Sequence, residues 1–248
     1  MRILGIIPAR WASSRFPGKP LQVIDGKSMI RRVYEQVSGC PILSEVVVAT
    51  DDSRIFDHVT GFSGNVRMTS ANHKSGTERC NEVAEIMSGR ENSHFDVIIN
   101  IQGDEPFIDP RQVTQLAECF QDPAVEIATL IKKITTDQEL DDQNVVKVII
   151  NNHSNALYFS RYPVPFLRGV KKEDRLKAHT FYKHIGIYGY TPAILRKITG
   201  YPESSLELAE SLEQLRWLEN GLSIHTRETE FESNAIDTPD DLLKITNM

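Results

Sequence analysis

Asp96-Val-Ile-Ile-Asn-Ile101 runs straight into Gln102-Gly-Asp-Glu-Pro106, and the reading of this stretch decides the fold. An apolar run broken once, by Asn100, suits a strand buried on both faces, as in the middle of a parallel sheet. Gly-Asp and Glu-Pro are turn chemistry, so the chain changes direction where the strand ends. Upstream, Ile3 to Ile7 reads as a first buried strand, Glu45 to Thr50 as a second, and a short one surrounds Val66. Helical patterns separate them. Ser28 caps a helix carrying Met29, Ile30, Val33, Tyr34 and Val37. Asp51, Asp52 and Ser53 open another with Ile55, Phe56 and Val59, and a third runs from about Glu78 to Met87. Alternation of this kind predicts an α/β fold of three layers, with helices on both faces of a mostly parallel sheet.

The second half reads differently. The runs Glu126 to Ile131, Val145 to Ile150 and Ala156 to Phe159 follow one another without long helices. They predict a smaller antiparallel insertion or subdomain at about 125–190 within a single domain spanning 1–248. His184 to Tyr190 returns as a strand, and Thr191-Pro192 starts a helix with proline at its first position. A long helix is expected from about Leu206 to Glu219, ended by Asn220-Gly221. Thr238-Pro239 begins the last helix, which puts Asp237 just before a helix N-terminus.

Bulk properties narrow the function classes. The 248 residues carry a formal net charge of −6, so the surface as a whole does not attract a polyanion and no nucleic-acid partner is expected. The three cysteines, Cys40, Cys80 and Cys119, are far apart and form no CxxC pair, which suggests buried thiols in a reducing compartment. The N-terminal apolar run stops at Pro8, and no stretch approaches the roughly 20 apolar residues of a membrane span. The expectation is a cytoplasmic protein with no membrane partner.

The chemistry concentrates at strand ends. After the first strand comes Pro8-Ala-Arg10, then Trp11 to Ser14, then Arg15-Phe-Pro-Gly-Lys19-Pro20. In open α/β sheets ligands bind at the carboxyl ends of strands, and small residues there let backbone N–H groups approach phosphate oxygens. The loop holds three cations but matches neither GxxxxGK[ST] nor GxGxxG. A basic, solvated surface loop is the plainer reading, and its position after strand one favours the phosphate cradle. Asp104 ends the strongest strand and is short and hard enough for magnesium shared with phosphates. A simple turn would also explain it. Asp237 at the last strand-to-helix junction serves equally as a cap. Ser75-Gly-Thr-Glu-Arg79 enters a helix and offers amides, hydroxyls and a cation, which suits a nucleotide or plain capping.

Taken together, PAR…SxRxPGKP, SGTER, QGDEP and IDTP, in that order and at these separations, resemble the 3-deoxy-manno-octulosonate (Kdo) cytidylyltransferases, or CMP-Kdo synthetases. The resemblance spans Ile3 to about Ile245, with Phe16 where leucine is usual. It implies a nucleotide-diphospho-sugar transferase-like fold. It implies transfer of CMP from CTP to the anomeric hydroxyl of Kdo, with release of pyrophosphate, for lipopolysaccharide biosynthesis. By the same resemblance, Arg10 and Lys19, helped by Arg15, bind the triphosphate, Pro8 and Ala9 are nucleotide-binding, and Ser75, Gly76, Thr77, Arg79 and Gln102 hold the cytidine. Arg10, Lys19, Asp104 and Asp237 form the catalytic set, and Asp104 and Asp237 ligate Mg²⁺, the expected cofactor. Arg161, His184, Tyr188, Glu213 and Gln214 are implied as the sugar pocket, and a homodimer as the assembly.

Those sugar-pocket residues have other readings. His184 and Tyr188 share a strand face and could line a core. Glu213 and Gln214 could be solvated on a helix, and Arg161 could sit in a surface ion pair. No side chain stands out as a general base, so deprotonation of the attacking hydroxyl is assigned to the metal. Two rival functions remain open: a cytidylyltransferase for another acidic sugar, such as 8-amino-Kdo or a nonulosonic acid, and a module that senses CTP without turning it over.

Overall fold

Alternate residues of the first strand face opposite layers, and that alternation organises the molecule. In the computed structural model, which describes residues 1–12, 16–89, 94–232, 235–236 and 238–246, β1 spans Ile3–Ala9. Ile3 and Ile7 enter one apolar cluster while Leu4 and Ile6 enter another, and all four are fully buried. Burial at this level contributes roughly 1.5–3 kcal/mol per side chain.

The strands that follow are β2 (Val23–Ile24), β3 (Lys27–Ser28), β4 (Glu45–Thr50), β5 (Val66–Met68), β6 (Val97–Asn100) and β7 (Ile127–Lys133). They continue with β8 (Lys147–Ile150), β9 (Ala156–Ser160), β10 (Tyr182–Tyr190) and β11 (His225–Glu228). The main sheet has the order β11-β7-β10-β6-β1-β4-β5, with β8 paired to β10 and β9 to β8. β1 is parallel to β4 and β6, β4 to β5, and β11 to β7. β10 is antiparallel to β6 and β7, and β8 to β10 and β9. The expected mostly parallel sheet is therefore present. Of the strands expected in the insertion, β7 and β10 belong to the central path, and the β8–β9 pair branches from it.

The helices are α1 (Met29–Ser38), α2 (Ser53–Gly61), α3 (Gly76–Ser88), α4 (Pro110–Glu118) and α5 (Asp137–Asp141). After them come α6 (Arg175–Ala178), α7 (Pro192–Thr199), α8 (Ser205–Glu210), α9 (Gln214–Glu219) and α10 (Pro239–Thr246). Helices α1, α2 and α4 cover the Ile3/Ile7 face, and α3, α7 and α9 cover the Leu4/Ile6 face. Ser28, Asp52, Ser75 and Thr191 accept hydrogen bonds from first-turn amides as N-caps, as their positions before the apolar patterns imply.

The single helix expected over Leu206 to Glu219 is two. Helix α8 opens with a Ser204/Glu207 capping box and stops at Ser211, whose φ is 54°, in the left-handed region. Arg161 supplies the reason, because its Nε–H donates to the Glu210 carbonyl at 2.8 Å and its Nη2–H to the Ser211 carbonyl at 3.3 Å. Carbonyls met by a side chain need no further helical partner, so the chain turns through buried Leu212 and restarts. A residue 49 positions away decides this boundary, and helical periodicity cannot report it.

Candidate active site

The carboxyl ends of β1 and β6 and the N-terminus of α3 surround a cleft of about 250 Å³. Pro8, Ala9, Arg10, Lys19, Ser75, Gly76, Arg79, Gln102 and Asp104, all expected from the sequence, line it. Close backbone approach forms its floor. A Cβ at Gly103 would lie 2.7 Å from the Pro8 carbonyl oxygen, so only glycine lets the β6 loop meet the end of β1. Gly18 has a φ of 70°, and its open face lies against the Trp11 ring, 3.0 Å from where a Cβ would stand. Trp11 in turn lies under the Arg54 guanidinium at 3.4 Å, so both ends of the basic loop are packed down.

The cleft is electropositive although the protein is acidic overall. Arg10 is exposed and, among the described residues, has no ion-pair partner. The Lys19 ammonium reaches Asp104 Oδ2 at 2.7 Å, both groups being half-buried. The Ser75 hydroxyl accepts from the Glu78 amide at 3.2 Å, and the first-turn N–H end of α3 opens at Gly76. Arg79 is buried and committed: one nitrogen donates to Asp51 at 2.8 Å and another to the Thr69 hydroxyl. It therefore holds the ends of β4 and β5 together behind the cleft. Thr77, expected here, points the other way, donating its hydroxyl to Glu213 at 2.7 Å. The sequence reading missed His73 and Lys74, which also line the cleft. His73 Nε2 is 2.5 Å from Glu82, about two turns beyond the Ser75 cap, and position just ahead of Ser75 was the available signal.

A second cleft of about 870 Å³ shares Gln102 and Asp104 with the first. Arg161 and His184 line it as expected, together with Lys183, Asp142 and Gly186. The β10 bulge between Ile185 and Tyr188 shapes this wall, and Thr129 stabilises it by donating to the Ile187 carbonyl at 2.7 Å. His184 Nε2 sits 3.0 Å from the same hydroxyl. Because that hydroxyl has one proton and gives it to a carbonyl, Nε2 must donate, which leaves the imidazole lone pair on Nδ1. Burial pushes the His184 pKa down to about 3, so the ring is neutral.

Tyr188, Glu213 and Gln214 stand outside both linings. Tyr188 is buried, its ring 5.1 Å from His184 and 5.1 Å from Trp217, and its hydroxyl has no hydrogen-bond partner among the described residues. Gln214 is buried at the start of α9 rather than solvated, because the break at Ser211 turns that helix inward. Burial raises the Glu213 pKa, opposed by its hydrogen bond from Thr77. Tyr188 lies directly behind His184, and the Glu213 carboxylate is close enough to act on the Tyr188 hydroxyl. Among the described residues the Arg161 guanidinium has no ion-pair partner and bonds carbonyls instead.

Asp104 offers a hard carboxylate oxygen where the two clefts meet. Mg²⁺ is commonly held by one or two carboxylates plus substrate phosphates, and Asp104 fits that requirement. Among the described residues no larger His/Cys/Asp/Glu cluster occurs. Asp237 lies outside the described residues, as does Arg15. Its neighbour Ile236 donates a main-chain N–H to the Asp104 carbonyl at 2.9 Å and packs with Phe16 of the basic loop.

Comparison with known proteins gives this arrangement a class. A family model described as cytidylyltransferase matches residues 4–224, so the enzyme class is that of the nucleotidyltransferases that use CTP. A 3-deoxy-manno-octulosonate cytidylyltransferase of Bacteroides thetaiotaomicron is 55% identical over 245 residues, covering 98% of this chain and 96% of the relative. That of Phocaeicola vulgatus is 56% identical over 247 residues, covering 98% and 96%. A solved CMP:2-keto-3-deoxy-manno-octonic acid synthetase complexed with CTP superposes with a TM-score of 0.88 at 42% identity, covering 100% of this chain and 98% of the other. The chain belongs to the 3-deoxy-manno-octulosonate cytidylyltransferase family. A 4-diphosphocytidyl-2C-methyl-D-erythritol synthase from Anaerococcus prevotii, at 13% identity and a TM-score of 0.61, shares the fold alone.

Proposed function

We propose that the protein transfers CMP from CTP to the anomeric hydroxyl of Kdo, giving CMP-Kdo and pyrophosphate for lipopolysaccharide biosynthesis. The observation that carries this reading is the shared wall. Gln102 and Asp104 line both a basic cleft suited to a triphosphate and a larger polar cleft beside it. Substrates seated on either side meet at Asp104.

In the reaction the hydroxyl oxygen bonds to the α-phosphorus, the bond from the α-phosphorus to the bridging β-phosphate oxygen breaks with pyrophosphate leaving, and the hydroxyl proton passes to solvent water. Two anions must approach each other, and negative charge gathers on the departing pyrophosphate. Arg10, Lys19 and the N-terminal end of α3 offset both effects from fixed positions, which avoids reorganisation during the step. Asp104 and Asp237 would hold Mg²⁺, which would supply charge neutralisation at the phosphates and a lowered pKa for the sugar hydroxyl. His184, with a pKa of about 3, is a poor base and serves as a fixed hydrogen-bonding wall. Arg161 shapes that wall, with Tyr188 supporting it from behind. Lys19 and Asp104 pair with each other until substrate separates them.

The assembly is a homodimer in the cytoplasm, where CTP is made. Tyr162 and Phe166 support the dimer: they are 71% and 87% exposed and lie beside a groove of about 480 Å³. Phe159, by contrast, is fully buried core. Sedimentation of wild type against Phe166→Glu distinguishes a dimer from a monomer.

Pyrophosphate release with CTP and Mg²⁺ tests the function against Kdo, 8-amino-Kdo and N-acetylneuraminate, with ATP, GTP and UTP as controls. Turnover with Kdo and CTP is expected. Turnover with another sugar alone would replace the acceptor, and CTP binding without turnover would leave a sensor.

A further inference from the structure

Lys147 opens β8 with a completely buried side chain and, among the described residues, no ion-pair partner. Its ammonium donates to three main-chain carbonyls: Asp142 at 2.7 Å, Val145 at 2.7 Å and Arg161 at 2.9 Å. An ammonium has three N–H groups, and all are used. A buried charge is tolerated only when it is met in this way. Burial lowers the Lys147 pKa, which the nearby Asp142 and Asp141 carboxylates oppose.

The three carbonyls come from the two segments that flank the paired strands β8 and β9 at the end where Lys147 lies opposite Ser160. Asp142 and Val145 belong to the turn before β8, and Arg161 follows β9. Both segments line the second cleft. The Arg161 guanidinium reinforces the joint by donating to the Gln143 carbonyl at 3.1 Å. The Val146 carbonyl accepts from the His184 amide at 2.8 Å, tying the turn to β10. One buried cation therefore joins the turn, Arg161 and, through the turn, His184.

We infer that Lys147 is a positioning residue for the acceptor side of the reaction: its caged ammonium fixes the wall that seats the acidic sugar. This rests on the functional reading above. CTP binds in the other cleft, whose lining includes neither segment.

Lys147→Met keeps the side-chain length and removes every donor. With this variant the KM for Kdo is expected to rise about tenfold or more. The KM for CTP should stay within about twofold, because it depends on a separate group of residues. An equal rise in both KM values, or a fall in kcat with the Kdo KM unchanged, would overturn the inference. Should the variant not fold, hydrogen exchange on the wild type decides. The Val145 and His184 amides should be protected before sugar is added, and unprotected exchange at both overturns a preformed wall. Absence of wild-type turnover with CTP and Kdo would remove the functional reading itself. Normal turnover with an unchanged sugar KM in the variant would remove only the role of Lys147.

Discussion

The Lys19 ammonium lies 2.7 Å from Asp104 Oδ2, joining motifs 85 residues apart at the boundary between two clefts. In this pairing each group occupies the place of the other's future partner, a phosphate for Lys19 and a cation for Asp104. The pair therefore keeps both side chains near their working positions and neutralises them until substrate arrives.

Asp104→Asn keeps the shape and removes the charge. Turnover should fall by at least about 10²-fold, in line with the loss of a preorganised electrostatic contact. Thermal unfolding should be little changed, because the residue is half-buried and the site is polar. Near-normal kcat at saturating Mg²⁺ would remove Asp104 from the catalytic set.

Gly103→Ala places a methyl group 2.7 Å from the Pro8 carbonyl oxygen, which is backbone and cannot swing aside. The β1 and β6 loops must separate, so the KM for CTP should rise and stability should fall by about 1–3 kcal/mol. Unaltered CTP kinetics would show that the two loops are not held to this spacing.

Arg216 donates to both oxygens of Glu207, at 2.7 and 2.5 Å, and to the Tyr201 carbonyl at 3.1 Å, with both side chains largely buried. Arg216→Met leaves the Glu207 carboxylate with the Ser204 amide but without its cation, and breaking a largely buried pair costs up to about 3–5 kcal/mol. Urea unfolding measures this. The double change Arg216→Met with Glu207→Leu should recover much of the loss, because no lone charge remains.

His184 sets a sign for the pH dependence of stability. The unfolded imidazole takes a proton near its ordinary 6.5, whereas the native one resists until about 3. Between those values the unfolded chain holds the extra proton, so stability contributed by His184 falls as pH drops and is full above 6.5. Each pH unit in that window costs up to about 1.4 kcal/mol. Glu213, whose pKa burial raises, acts in the opposite direction, so the test is the difference between wild type and His184→Gln in urea from pH 7 to 4. Parallel curves would show that His184 is protonated as readily folded as unfolded.

Some of these relationships were legible in the chain, for a physical reason. Strand periodicity, capping residues and the order of the four motifs are local, and they determined the parallel sheet, the placement of the basic loop and Asp104 at strand ends, and the family. Ser28, Asp52 and Ser75 cap helices because a short side-chain oxygen before an apolar pattern meets the first free amides. The first cleft contains most of its expected residues because every one of them sits at the end of a regular element.

Tertiary structure decided the rest, wherever a residue's role depends on a partner distant in sequence. Arg161 ends α8, Thr77 turns to Glu213, Arg79 is held by Asp51, and Lys147 gathers three carbonyls. Residue type announces a charge or a hydroxyl but not which way it faces. Direction is set by which segments the assembled sheet brings within hydrogen-bond reach, and that exists only in the folded chain.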